Sequence, residues 1–251
     1  MKEITLLCIL SFILAFNIKA QENTEPVKDY KFSLGLNLSP DIAYRSLESE
    51  SSVNWIKSLM DKSEDPKFGY TGGLNLQYKI SQRFAFEGGV QYSNKGYAFK
   101  QTELTYGNMV DPRYEFEYQI VDGAPSKIKI LNNFHYLDIP LRYILHAGKG
   151  KIQFIASAGL TTNILLKVTR TIIVEYEDGK VDRKTETNNH TNYKKIILSP
   201  AVSAGINYKI SERFNISAEP TFRYGVMKII DVPITSYLWS GGLNFTFYYS
   251  L

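Results

Sequence analysis

The sequence predicts an all-β protein: an eight-stranded antiparallel transmembrane β-barrel with short periplasmic turns and long extracellular loops. Three observations predict this fold. Residues 241–251 alternate between apolar and small or polar side chains, with the period of a strand and about the length that crosses a bilayer. Aromatic residues make up 14% of the chain, and membrane barrels concentrate such residues at both lipid–water boundaries. After the first twenty residues, no segment is apolar for long enough to be a membrane helix.

The N-terminus has the features of a secretory signal peptide. Lys2 supplies a positive charge, an apolar run follows, and Ala20 precedes a plausible cleavage site. The apolar run is shorter than the roughly 20 residues that a membrane-spanning helix needs. We therefore expect residues 1–20 to be removed, residues 21–30 to form a short periplasmic segment, and residues 31–251 to form the barrel.

The composition excludes several classes of function. The single cysteine, Cys8, lies in the predicted signal peptide, so the mature chain has no thiol for a disulfide, a zinc–thiolate site or cysteine catalysis. The formal net charge of +4 is too small to indicate nucleic-acid binding. The mean hydropathy of −0.20 suits a membrane barrel, since half of each strand faces the lumen and is polar.

One repeated motif marks two tight turns. Residues 78–84 read Tyr-Lys-Ile-Ser-Gln-Arg-Phe, and residues 208–214 repeat this sequence with Glu in place of Gln. Each copy ends one alternating run and begins another, as the turn of a hairpin does. In chain order, the alternating runs predict eight strands at 31–43, 68–80, 84–98, 134–145, 151–168, 195–209, 213–227 and 236–251.

In each predicted strand, apolar residues recur on one face, because side chains alternate between the two faces of a strand. The opposite face is small or polar, so we assign the apolar face to lipid. Examples in chain order are Phe32 and Leu34, Tyr70 and Leu74, Phe84 and Phe86, Leu137 and Ile139, Ile152 and Phe154, Val202 and Ile206, Phe214 and Ile216, and Phe245 and Phe247.

The connections alternate in length, which is typical of outer-membrane barrels. Short turns lie near 81–83, 146–150 and 210–212, long charged loops cover 44–67, 99–133 and 169–194, and residues 228–235 form a shorter loop. We expect the short turns and both termini to face the periplasm. Within the third long loop, residues 173–181, centred on Glu177-Asp178-Gly179, predict a hairpin that stands above the membrane.

A set of charged residues falls on the inward face of the predicted strands. An eight-stranded barrel has an interior that side chains just fill, so charges there need partners. Asp138 and Arg142 are four residues apart on one strand, as are Glu219 and Arg223, so each pair points inward from the same strand. We interpret the set as a salt-bridged network that closes the lumen; the alternative is a proton or ion path. Its members are Asp41, Glu87, Asp138, Arg142, Lys167, Glu219 and Arg223.

The sequence predicts no catalytic, cofactor-binding or metal-binding residues. His135 lies near a loop with several serines, which leaves open a Ser–His–acid site at the outer rim, although no spacing selects the partners. Asp138 is three positions away and therefore on the opposite face of the strand. The acidic cluster of the third loop alternates with Lys and Arg and lacks the spacing of a calcium loop, so a solvated loop tip is expected.

Several segments are similar to those of a known family: residues 32–37 (Phe-Ser-Leu-Gly-Leu-Asn), 80–84, 88–93 and 137–141 (Leu-Asp-Ile-Pro-Leu), together with the aromatic last strand. On these segments the sequence resembles the PorT-like small outer-membrane β-barrel proteins of Bacteroidetes. The resemblance covers essentially all of the mature chain. It implies an outer-membrane location and an eight-stranded barrel, and it supplies no catalytic residues.

These observations predict an outer-membrane protein with a plugged interior and a structural, binding or adhesion role carried by its extracellular loops. The first alternative is a subunit of a secretion or uptake complex, and the lesser alternative is a barrel-embedded lipid-modifying hydrolase. A soluble barrel that holds a ligand inside would need the reverse distribution of apolar and polar faces. The expected partners are outer-membrane lipid and a protein bound by the loops 44–67, 99–133 and 169–194. The barrel is expected to be monomeric, without nucleic acid or a cofactor.

Overall fold

Eight long antiparallel strands close into a ring in the computed structural model. The model describes residues 30–102, 125–148, 150–176, 178–187, 192–230 and 232–251. The predicted signal peptide and periplasmic segment, apart from Tyr30, lie outside the described residues, so this division of the chain stays a prediction. Within the described residues, no helix has the length and apolar character that would let it cross a membrane.

The ring strands are β1 Phe32–Ser49, β3 Lys67–Lys79, β4 Phe84–Thr102, β5 Pro125–Ala147, β6 Ile152–Tyr176, β8 Ile196–Lys209, β9 Phe214–Tyr224 and β10 Ile234–Ser250. They pair in the order β1-β3-β4-β5-β6-β8-β9-β10, and β10 pairs with β1 to complete the ring. All of these pairings are antiparallel. The predicted fold class is therefore confirmed.

The two faces of the wall have the polarity that the sequence predicts. Along β1, Leu36 is 60% exposed whereas the neighbouring Asn37 is 2% exposed. The same alternation places Phe247 outward and the fully buried Glu219 inward. An apolar outer wall around a polar lumen is stable in hydrocarbon and not in water, because the exposed apolar side chains then contact lipid.

Aromatic side chains form two girdles around this wall. At the periplasmic end, rings pair across neighbouring strands with centroids 5.0 to 5.5 Å apart. Near the other end, a second set has centroids 5.9 to 6.1 Å apart. Along the tilted β3, the two girdles are separated by roughly 20 Å, close to the height of an outer-membrane apolar band. The periplasmic pairs are Phe32–Tyr78, Phe84–Tyr143 and Phe214–Tyr249, and the outer pairs are Tyr44–Trp239, Tyr70–Tyr92 and Phe222–Trp239.

The strands on one side of the barrel continue well beyond the outer girdle. β5 begins at Pro125 rather than near 134, and β6 ends at Tyr176 rather than near 168. Parts of the predicted loops 99–133 and 169–194 are therefore strand. The sequence pattern misses these extensions because both faces of a strand above the membrane contact water, so the alternation of apolar and polar residues disappears.

The remaining elements lie at the extracellular end. A short 3₁₀ turn at Ser51–Val53 leads into α1 (Asn54–Ser63), and β2 (Glu64–Asp65) pairs with β4. β7 (Val181–Thr187) pairs with the upper part of β6. The turn between β6 and β7 contains Gly179 with φ of +82°, a backbone conformation that suits glycine. The predicted hairpin above the membrane is thus confirmed.

We predict that Leu38→Arg destabilises the folded barrel by about 2–4 kcal/mol, because it places a charge on the lipid-facing side near the middle of the apolar band. The free energy of unfolding in phospholipid vesicles, measured by urea titration, tests this. Leu38→Phe is the control and should change it little. An equally stable Leu38→Arg protein would contradict the lipid-facing assignment of this wall.

Candidate functional site

The lumen is filled by a balanced set of charged side chains. Among the described residues, five acidic and five basic side chains are less than 9% exposed. Balance matters here because an unpaired charge in a water-poor interior is strongly destabilising. The acidic residues are Asp41, Glu64, Glu87, Asp138 and Glu219, and the basic ones are Arg45, Lys67, Lys95, Arg142 and Arg223.

Arg142 is the central member of this network. From β5, its Nε and Nη2 atoms donate to Oε1 of Glu87 on β4 at 3.0 and 2.5 Å. Its Nη1 lies 3.6 Å from Oε2 of Glu219 on β9, on the other side of the lumen. The Tyr248 hydroxyl donates to the remaining Glu87 oxygen at 2.5 Å, and Ser203 donates to Glu219 at 2.6 Å. One guanidinium group therefore links three strands across the barrel.

Two further carboxylates have their own partners. Asp41 accepts hydrogen bonds from Arg223 at 3.2 Å and from Thr71 at 2.6 Å. Asp138 accepts from Lys95 at 2.9 Å and from Asn163 at 2.6 Å. Every lumen acid predicted from the sequence thus contacts a cation of another strand. Because a cation neutralises each of these carboxylates, the network can close the lumen without water molecules around the charges.

The ion pairs join different strands rather than residues of one strand. Asp138 pairs with Lys95, and Glu219 contacts Arg142, so neither pair of residues spaced four apart forms an internal salt bridge. Four positions along a strand correspond to about 13 Å, which is too far for a direct ion pair. The residues point inward as expected, but their partners come from the neighbouring and opposite walls.

Lys167 is the one predicted network member that the structure places elsewhere. It lies opposite His135 and is exposed. The register of β5 and β6 shifts between His135 and Tyr136, which pairs with Leu165, so Leu166 is an extra residue. A one-residue bulge reverses the alternation of all later side chains, and this reversal turns Lys167 to the outer face.

Sequence reasoning missed four charged residues of the lumen: Arg45, Glu64, Lys67 and Lys95. Lys67 falls in the predicted first loop, one residue before the predicted start of the second strand. Lys95 lies an even number of residues after Glu87 on β4 and therefore faces inward as well, which the predicted strand at 84–98 already indicated. Arg45 has the parity of Asp41 but lies beyond the predicted end of the first strand. Glu64, its bidentate partner, lies in the short β2, which no pattern indicated.

Glycines make room for the charged side chains. A Cβ atom added at Gly159 would lie 2.8 Å from the Cα atom of Arg142, and one at Gly205 would lie 2.8 Å from the Cα atom of Glu219. Such contacts are closer than real Cβ atoms make. The lumen glycines therefore allow the strands next to the network to approach without filling its space.

The outer mouth of the barrel is closed by an apolar cluster. Phe134, Tyr136 and Ile197 project inward from the wall and are at most 1% exposed. Ile229, from the connection between β9 and β10, packs among them and is also 1% exposed. Above them, the Arg45 guanidinium lies 3.7 Å from the ring centroid of Tyr97. The lumen is thus sealed towards the exterior by packed side chains.

A cavity of about 370 Å³ lies above this seal, between α1 and the connection from β9 to β10. Ile56 and Met60 of α1 line one side, and Ile229 and Ile230 line the other. The adjacent face of the helix carries Trp55 and Leu59, which are 66% and 56% exposed. This part of the surface is apolar and faces the extracellular side.

The described contacts of His135 do not form the Ser–His–acid arrangement. Its Nδ1 lies 2.5 Å from the Tyr92 hydroxyl, and its Nε2 lies 3.1 Å from the Thr169 hydroxyl. Asp138 points to the opposite face, towards Lys95. Among the described residues, no three His, Cys, Asp or Glu side chains are grouped so that they could hold a metal ion.

The extracellular hairpin carries paired charges. Lys127 contacts Glu175 at 3.3 Å, Lys180 contacts Asp182 at 3.5 Å, and Lys184 contacts Glu186 at 2.7 Å. These exposed ion pairs contribute little to stability because water and salt screen them. Glu177, named in the predicted turn, lies outside the described residues.

Comparison with known proteins finds others with this architecture. The family described as "Outer membrane protein beta-barrel domain" matches residues 11–231. No curated protein sequence matches the chain. Solved structures with a similar fold include neisserial surface protein A, with 14% identity, a TM-score of 0.44, and coverage of 88% of this chain and 97% of that one.

Two other similar structures illustrate the range of these barrels. Ail, the attachment invasion locus protein of Yersinia pestis, has 11% identity and a TM-score of 0.34, with 86% of this chain and 99% of that chain covered. The outer membrane protease OmpT of Escherichia coli has 9% identity and a TM-score of 0.41, with 91% and 99% covered.

We predict that Arg142→Met lowers the free energy of unfolding by about 3–5 kcal/mol, because it leaves two carboxylates buried without a cation. Urea unfolding in phospholipid vesicles measures the effect. Arg183→Met, on the exposed β7, is the control and should change stability by less than about 0.5 kcal/mol. Adding Glu87→Gln to Arg142→Met should restore part of the loss. If Arg142→Met were as stable as the control, the network would not hold the barrel together.

Proposed function

We propose, from the premise that this chain belongs to the outer membrane protein β-barrel domain family, that it acts as a closed barrel that binds a partner at its extracellular surface. Its location is the cell outer membrane, and its strands contact the lipid of that membrane. The binding role, which includes adhesion, is the part that we add.

The observation that carries the proposal is the closure of the barrel. The Arg142 network fills the middle of the lumen, and the cluster around Ile229 seals its outer mouth. A barrel without a continuous path has no transport route through its lumen, so its activity is expected on surfaces that protrude from the membrane. The long strands of the β5, β6 and β7 wall provide such a surface.

Among the described residues, the most prominent apolar feature of the extracellular surface is α1. Ile56 and Met60 anchor the helix over the mouth, while Trp55 and Leu59 remain exposed. An exposed tryptophan beside an exposed leucine is costly in water and is the kind of pair that anchors protein–protein interfaces. We therefore propose a protein partner that binds the extracellular loops, with α1 of the loop 44–67 at the centre of contact.

We propose binding rather than catalysis as the role of the chain. The described hydrogen-bond partners of His135 are Tyr92, Asn94 and Thr169, and none of them is an acid. A subunit of a secretion or uptake complex remains the alternative, and it differs only in the identity of the partner. The PorT-like assignment within Bacteroidetes, the signal peptide at 1–20 and the monomeric state are also our proposals, supported by the sequence segments that carry them.

We predict that the purified protein gives no steady conductance on the nanosiemens scale in planar bilayers, because side chains fill the lumen and its outer mouth. Single-channel recording tests this, with a porin reconstituted in parallel as the positive control. Long-lived open levels in the wild-type protein would exclude the closed barrel.

We further predict that a photo-reactive phenylalanine analogue at position 55 gives a discrete cross-linked product in cells that naturally express the protein. The matched control carries the analogue at Arg183 on β7, which is also extracellular and exposed. Mass spectrometry of the product identifies the partner and separates an adhesion role from a complex within the outer membrane. If the analogue at position 55 yields no product in these cells, α1 is not the centre of contact.

A further inference from the structure

Basic side chains surround the periplasmic end of the barrel. We call this set the periplasmic collar: Lys31, Lys79, Arg83, Lys151, Lys209 and Arg213. Both copies of the repeated turn contribute, with a lysine before the turn and an arginine after it. In each turn the serine hydroxyl accepts hydrogen bonds from the backbone N–H groups of the arginine and the following phenylalanine, at 3.1 to 3.3 Å. The two turns therefore place their cations in the same way.

The strand register brings members of the collar together. The N–H group of Lys79 donates to the carbonyl of Lys31 at 2.8 Å, and that of Lys209 donates to the carbonyl of Lys151 at 2.8 Å. Residues directly opposite each other in an antiparallel pair have their side chains on the same face. The second of these backbone pairs thus sets Lys151 and Lys209 side by side, and like charges directly opposite each other are destabilising.

The collar lies on the lumen-facing side of the wall. Every member is two positions from an inward-facing residue of its strand, for example Lys31 from Ser33, Lys209 from Asn207 and Arg83 from Ala85. Side chains two positions apart share a face. These positions set the cations at the mouth of the barrel. The Arg213 guanidinium extends from there to Tyr30 and to Tyr249 of the periplasmic girdle.

Most of these cations have no acidic partner among the described residues. Within the part of the chain that the structure describes, Lys31, Arg83, Lys151, Lys209 and Arg213 form no ion pair. Arg213 donates to the hydroxyls of Tyr30 and Tyr249, both at 3.2 Å, and neither phenol neutralises its charge. The acidic side chain described in these turns is Glu212, which is exposed. The extracellular hairpin differs, since its lysines alternate with acids.

His146 lies near two lysines of the collar. It lies beyond the periplasmic girdle, where its backbone N–H group donates to the carbonyl of Arg83 in the turn. Burial, together with the charges of Lys79 and Lys209, lowers the pKa of its imidazole to about 4, against the opposing effect of Glu219. Because Lys79 and Lys209 come from β3 and β8, on either side of β5, the positive potential extends across the mouth. At neutral pH the histidine is uncharged and adds no repulsion.

We propose that the periplasmic collar is a binding site for a phosphate-bearing anion. Lysine ammonium and arginine guanidinium groups form short, charge-assisted hydrogen bonds to phosphate oxygens, and a ring of them suits an anion with more than one negative charge. The anion stays at the mouth, because the Arg142–Glu87–Glu219 network fills the lumen above it. The collar therefore binds and does not conduct.

Two sources can supply the phosphate: a soluble compound of the periplasm or the head group of an anionic phospholipid. The inward-facing positions of the collar favour the soluble source. Lysine side chains are long enough to reach over the rim to a lipid head group, so the experiment needs an arm for each source.

The first arm uses the mature protein in nanodiscs of phosphatidylcholine, which has no net charge. Isothermal titration with tripolyphosphate should show one saturable site that weakens as salt is added. The double variant Lys151→Gln/Lys209→Gln should lower the affinity by at least about tenfold. Lys180→Gln/Lys184→Gln, on the extracellular side, is the matched control and should bind as the wild type does. Absence of a saturable site in the wild type, or an equal loss in both variants, would overturn the proposal.

The second arm replaces part of the phosphatidylcholine with phosphatidylglycerol. If the lipid head group is the ligand, it should displace tripolyphosphate from the wild type. Native mass spectrometry should then show bound phosphatidylglycerol that the Lys151→Gln/Lys209→Gln variant lacks. If the soluble anion is the ligand, its affinity should not depend on the lipid. Either result supports the collar and identifies the source.

Folding of the variants can be checked independently of binding. The shift in gel mobility on heating shows whether each barrel has folded. Tripolyphosphate should raise the Tm of the wild type and leave that of the Lys151→Gln/Lys209→Gln variant unchanged, because a ligand stabilises only a folded state that binds it. A folded variant that is stabilised as much as the wild type would exclude the collar as the site.

Discussion

The structure depends on the neutralisation of charge inside a narrow barrel. A ring of eight strands leaves a lumen that side chains fill, and buried charges are tolerated there only with partners. Arg142 meets this requirement by contacting Glu87 on one wall and Glu219 on another. The contact with Glu219 also ties together β5 and β9, which share no backbone hydrogen bonds.

The two ends of the barrel differ in the side chains that surround the lumen. At the extracellular end, apolar side chains around Ile229 pack across the mouth, and the Arg45–Glu64 ion pair lies beside Tyr97. At the periplasmic end, Ala85, Ile144 and Ile155 form a small buried cluster, and the cations of the collar surround the mouth. The extracellular surface is therefore apolar at α1, whereas the periplasmic surface is cationic at the turns.

The local sequence pattern was sufficient for much of the fold. Alternation identified all eight ring strands and the outward position of residues such as Leu36 and Phe247, because a period of two is a property of each strand alone. It failed where that pattern is absent or interrupted. Above the outer girdle both faces of a strand contact water, so the extensions of β5 and β6 show no alternation of apolar and polar residues. The extra residue at Leu166 reverses the side-chain direction, so the alternation wrongly placed Lys167 inside.

What the sequence determined by itself is thus the strand count, the polarity of the two faces and the inward direction of Asp41, Glu87, Asp138, Arg142, Glu219 and Arg223. What only the tertiary structure decided is which of these charges meet. Partners such as Asp138 and Lys95 belong to different strands, and their contact depends on the register in which those strands pair. That register is set when neighbouring strands pair around the closed ring, which no single strand encodes.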